Sequence, residues 1–266
     1  MSEVSSSNTD LRKTPMKILK PFVVELAPTL SQHWYSVWRV TKSGKKGKFI
    51  GHFPSATTIL NAYPQSPHLT QWIATQGWSE AQRIKSEAGE RGTRIHEATE
   101  ALEDGIELLK TAYSLEEWNK ICAFVDWYNQ FQPVLVAKEF VVFSPKGRYA
   151  GRFDRLYLIA GEMTLLDIKS SSAIHEHFPL QFASYARAVE ECTDVKIIQT
   201  AALQLGAANK NNYRFVVYPD WRDHYKVFEA VRKVWQYDYF DSKKNAKSAP
   251  VLDLPATLKL ELIQKI

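Results

Sequence analysis

The stretch GRFDRLYLIAGEMTLLDIKSS, residues 151–171, holds two apolar runs on either side of Ala160–Gly161. Two strands joined by a two-residue turn are the expected structure. In that register Met163 faces Leu158, Leu165 faces Leu156, and Asp167 faces Asp154. Side chains alternate across a strand, so Asp167 and Lys169 share one face. Two carboxylates would then oppose each other with Cβ atoms ~5 Å apart, which is unfavourable unless a positive charge sits between them. A divalent cation meets that need, because hard cations prefer carboxylate and carbonyl oxygens. The backbone carbonyl of Ile168 offers a third oxygen. Lys169 is placed to orient a water or to stabilise charge on a phosphate. The competing reading is a plain Asp–Lys salt bridge, which leaves the second aspartate unexplained.

Outward from the hairpin, Gln181 and Tyr185 lie four residues apart on an expected helix over 179–191 and so share a face. Gln181 can hold a water or a phosphate oxygen. Tyr185 can pack on a sugar or base, or simply join the apolar stripe of Phe182, Ala186 and Val189. His96 sits beside the core stripe of a helix expected over 79–103, where Gly92 leaves room one turn earlier and Gly89 and Gly92 threaten a break. Ser114 and Glu117 have capping-box spacing at the start of the next helix, whose expected buried face is Trp118, Ile121, Cys122, Val125 and Tyr128. Strands are expected at 134–143, 149–159, 162–169, 195–205 and 213–218, and a last helix from Trp221 to about Phe240. The order from residue 114 is α-β-β-β-α-β-β-α. Strands apolar on both faces imply an α/β fold, a central sheet flanked by helices. Upstream, residues 33–53 predict a hairpin with a basic turn, and Ser55 predicts a helix N-cap.

The chain has 266 residues, 45% of them apolar, enough for a sizeable core. No apolar run approaches the ~18 residues of a membrane span, and the N-terminus lacks the pattern of a secretory signal. The expected organisation is a disordered tail over 1–20, one domain over 21–242 (a mostly helical lobe to 113, then the core), and a tail over 243–266. Cys122 and Cys192 lie far apart in apolar-periodic stretches, which favours buried free thiols in an intracellular, reducing compartment. A net charge of +5 and a pI near 9.0 permit a polyanionic partner without demonstrating one.

The hairpin followed by QFASY (181–185), with RGTRIHEATE (91–100) before it, resembles the RecB-like branch of the PD-(D/E)XK nuclease superfamily. FPSATTILNAYPQSP (53–67) is similar to the entry segment of small stand-alone phage and mitochondrial exonucleases of that branch. The resemblance covers roughly residues 53–218. It implies a mixed central sheet with an α-β-β-β-α-β core, and magnesium- or manganese-dependent hydrolysis of DNA phosphodiesters. By the same resemblance Asp154 and Asp167 hold the metal with help from His96, and Lys169 positions the attacking water. Gln181 and Tyr185 line the site, Ser55 and Thr57 face DNA, and Glu139 takes a secondary place. Some relatives bind an iron–sulfur cluster through four cysteines; two cysteines are too few, so the cofactor expected is divalent metal only.

The function this favours is a DNA exonuclease acting on single strands or ends, in repair, recombination or replication, with a recombination or replication protein as a possible partner. A structure-specific endonuclease and a non-cleaving DNA-binding or partner-blocking protein on the same fold are the alternatives. Arg91, Arg94, Arg152 and the loop lysines Lys42, Lys45, Lys46 and Lys48 are candidates for backbone phosphate contacts, or else an ordinary solvated surface.

Overall fold

The hairpin is the centre of a five-stranded sheet. The computed structural model of the chain describes residues 16–19, 21–27 and 32–241. In chain order these contain β1 (Phe22–Ala27), β2 (Trp34–Val40), β3 (Lys46–Pro54), α1 (Ala56–Leu60), α2 (Pro67–Gln76), α3 (Trp78–Glu103), α4 (Leu115–Phe131), β4 (Val134–Ser144), β5 (Tyr149–Ile159), β6 (Glu162–Lys169), α5 (Phe178–Cys192), β7 (Gln199–Leu205), β8 (Tyr213–Tyr218) and α6 (Trp221–Gln236). The sheet order is β4-β5-β6-β7-β8; only β6 and β7 run parallel, so the sheet is mixed. Helices α1, α5 and α6 pack on one face around Leu156, Leu165 and Phe182. Helices α3 and α4 cover the other face around Trp127, Tyr157 and Leu166.

The β5–β6 register runs from Ile159↔Glu162 to Arg155↔Leu166 and includes Leu156↔Leu165 and Leu158↔Met163. Ala160 and Gly161 both have positive φ, 49° and 85°, as a type I′ turn requires. The regular ladder stops one pair short of Asp154 and Asp167. There the Asp154 Oδ2 accepts from the Ile168 N–H at 2.7 Å instead. Ser55 caps α1, and the Ser114–Glu117 capping box opens α4.

Five expectations need correction. Residues 16–19 do not belong to a disordered tail: Ile18 bridges Thr193, and Leu19 N–H donates to Cys192 O. The rest of that tail, 1–15 and 20, and the tail over 243–266 lie outside the described residues. The N-terminal lobe carries a three-stranded antiparallel sheet, β1-β2-β3, besides its helices. Helix α3 is continuous through Gly89 and Gly92, whose cost of about 1 kcal/mol each is too small to break a packed helix. On α4 the buried stripe is Ile121, Phe124 and Trp127, and Cys122 is exposed while Cys192 is buried. The aromatic stripe wins because Trp127 stacks on Phe131 and packs against Tyr157 and Phe215, covering more area than a thiol face would. Strand β7 starts at Gln199, four residues later than expected.

Candidate metal centre and cleft

Three elements meet at the open end of the β5–β6 hairpin. Helix α3 brings His96, β4 brings Glu139, and β5 brings Asp154. One ligand atom from each lies within 4.8 Å of the others, the one such group of three among the described residues. His96 Nδ1 is 3.6 Å from Asp154 Oδ2 and 4.0 Å from Glu139 Oε1. Its Nε2 lies 3.1 Å from the Ile168 carbonyl oxygen, and donates to it in the tautomer protonated there.

Asp167 stands beside this group, paired to Lys169 Nζ at 2.6 Å. The two opposed aspartates therefore do not simply repel, because a lysine already shares the charge. Lys169 Nζ also lies 3.4 Å from Gln181 Oε1 and 4.4 Å from the Phe178 ring centroid. Gln181 Nε2 in turn donates to Tyr185 OH at 3.1 Å. Tyr185 is largely buried, and what it exposes lines the cleft that opens onto the centre. Its ring occupies the space a side chain at residue 151 would need: a Cβ on Gly151 would meet Tyr185 Cε1 at 2.3 Å.

The electrostatics favour a cation. Burial, and next the Asp167 charge, pushes the Asp154 carboxyl up to about 6. Burial alone would lower His96, but Asp154, Glu139 and Asp167 outweigh it and hold the imidazole up at about 9. Glu139 is raised by burial and lowered more by His96, Arg152 and Arg155, ending below the usual carboxylate range. The centre thus takes up a proton where a cation is absent. Its donor set, carboxylates with one imidazole and one peptide carbonyl, fits a hard or borderline divalent ion.

A cleft of about 760 Å³ opens onto the centre and is lined by His33, Tyr35, Ser55, Thr57 and Arg152, among others. Ser55 and Thr57 thus reach the cleft, as does Arg152, whose Nε pairs with Glu139 at 3.1 Å while most of its side chain stays exposed. The other basic candidates diverge from it. Arg94 is committed to bracing α3 against α4, through Glu117 at 2.7 Å and Ala112 O at 2.8 Å. Arg91 lines a second cavity of about 830 Å³, bounded also by Gly89, Glu116 and Ser170, instead of the cleft. Lys42, Lys45, Lys46 and Lys48 lie around the β2–β3 turn, at the opposite end of those strands from Tyr35. Lys46 is paired there with Glu25. Sequence reasoning gave Glu139 only a minor place and missed His33, Tyr35 and Arg155. For Glu139 a signal existed: a charge in the apolar run VLVAKEFVVF, beside the strand that carries Asp154.

No protein-family model matches the chain, and no curated protein sequence matches it. No helix among the described residues is long and apolar enough to cross a membrane.

Proposed function

We propose that this chain is a metal-dependent deoxyribonuclease, an exonuclease working on single-stranded DNA or DNA ends inside the cell, in repair, recombination or replication. The observation that carries this reading is the meeting of His96, Glu139 and Asp154 at the cleft, with the Ile168 carbonyl against His96 and the Asp167–Lys169 pair beside them. A structural salt bridge needs one aspartate and one lysine; it does not need three carboxylates and a histidine from four elements.

His96, Glu139, Asp154, Asp167 and the Ile168 carbonyl are the groups that would hold Mg2+ or Mn2+. Bound there, the ion would neutralise the negative charge that builds on the phosphate during hydrolysis. Lys169 is held by Asp167 and Gln181 with its Nζ over an aromatic ring, so its donors point in a fixed direction. In this reading it orients the attacking water and donates to the phosphoryl oxygens. Gln181, fixed by Tyr185, keeps the lysine from swinging away. Arg152 meets the DNA backbone at the mouth of the cleft.

Digestion of end-labelled single- and double-stranded oligonucleotides tests this. Linear strands should shorten from an end with Mg2+ or Mn2+ and stay whole in EDTA, while covalently closed circles resist. Cleavage undiminished in chelator would remove the metal mechanism. Nicking of closed circles would replace the exonuclease reading by an endonuclease one.

A further inference from the structure

We infer that Arg155 is the positioning residue of the centre: one buried guanidinium fixes the helix and both strands that carry His96, Glu139 and Asp154. Its side chain is 0% exposed, and it lies between α3 and the β4–β5 pair. Nη1 donates to Glu139 Oε1 at 3.0 Å and to the Asp154 carbonyl oxygen at 2.9 Å. Nη2 donates to Thr99 Oγ1 at 3.2 Å, and that hydroxyl donates to the His96 carbonyl at 2.8 Å. All three members of the cluster are therefore tied to one planar group, two directly and one through a single hydroxyl.

The anchor of this group lies away from the cleft. Arg155 Nε donates to Glu103 Oε2 at 2.6 Å, and the Glu103 side chain is only 1% exposed. The Tyr157 hydroxyl donates to the other oxygen of Glu103. His96, Thr99 and Glu103 follow one another at spacings of three and four along α3, so they share the face turned to the sheet. With Glu103 taking Nε, the Nη edge of the fork is left to the cluster. A lysine cannot copy this, because an ammonium has no rigid fork.

Glu139 shows why such a hold is needed. Its φ is +45°, a backbone conformation that L side chains rarely adopt, and it sits two residues after the 135–137 irregularity in β4. Arg155 and Arg152 both pair with its carboxylate and fix it. Outer residues that orient ligands in this way typically change metal affinity or activity by ~10–100-fold when replaced.

This proposal rests on the reading of the cluster as a metal centre, and the experiment separates the two. Mn2+ binding is measured by calorimetry on the intact chain, without DNA, for the parent and two variants. Arg155→Lys keeps the charge opposite Glu103 but loses the fork. The triple change Glu103→Leu, Arg155→Met, Tyr157→Phe replaces the buried polar group by an apolar one, which folded proteins often accept. Arg155→Lys should keep the parent's near-UV circular dichroism and the triple variant its far-UV spectrum and cooperative melt, and both should bind Mn2+ at least ~10-fold more weakly. If either folded variant binds Mn2+ as tightly as the parent, Arg155 only holds the fold and the proposal is overturned. Should the triple variant not fold, Arg155→Lys decides alone. A parent that binds no Mn2+ overturns the metal centre itself, and the positioning role with it.

Discussion

Asp154 and Asp167 are the same residue type in different company. Asp167 has a lysine ammonium 2.6 Å away, whereas Asp154 faces a histidine and two other carboxylates. Asp154→Asn should therefore stabilise the metal-free protein, by about 1 kcal/mol, as relief of functional-site strain commonly does. The asparagine oxygen can still accept from the Ile168 N–H. Asp167→Asn should do the reverse and cost about 1–3 kcal/mol, because it leaves Lys169 without its counter-charge. Thermal melts in EDTA check the pair, and equal shifts of the same sign would contradict the assignment. The pH dependence follows from the same groups. Asp154 is held up at about 6, above its ordinary 3.8, so its contribution to stability is present below 3.8 and lost as pH rises through 6. His96 is held up at about 9, above 6.5, so its contribution is present below 6.5 and lost as pH rises through 9. A cation competes with both protons. The rise in Tm on adding Mg2+ should therefore grow between pH 6 and 9; a rise independent of pH would count against this centre.

The hairpin turn is where local sequence and fold conflict mildly. Ala160 sits at φ 49° in a turn that favours Asn or Gly there, a cost of about 1–2 kcal/mol for an alanine. Ala160→Asn should thus raise stability by about 1 kcal/mol without changing metal binding, read from chemical denaturation. A loss of stability would show that the turn is not of type I′ in solution. At this scale the sequence was informative where pattern and chemistry coincide. Alternation around Ala160–Gly161 gave the β5–β6 register, and Ser114 with Glu117 gave the start of α4. It misled on α4 because two apolar stripes compete there, and only the partners Tyr157 and Phe215, distant in sequence, choose between them. β1 was missed because FVVELA exposes Glu25 and Leu26 side by side, which breaks the alternation a half-buried strand would show. Arg155 was invisible for a related reason: its buried role depends on Glu103 and Thr99, which another element supplies.

Across the whole molecule, the sheet and its two helical layers bring residues 96, 139, 154 and 167–169 to one end of the hairpin, with the N-terminal sheet as one wall of the cleft. The central claim is a division of labour at that point: Asp154 holds a divalent cation, and Lys169 acts on the reaction without being a ligand. The most direct test measures Mn2+ affinity and Mg2+-dependent cleavage of a linear single strand for the parent, Asp154→Asn and Lys169→Ala. The account predicts that Asp154→Asn loses both binding and cleavage, whereas Lys169→Ala keeps Mn2+ affinity near the parent's and loses cleavage by ~100-fold or more. Cleavage at the parent's rate by folded Lys169→Ala, or by folded Asp154→Asn, would contradict it.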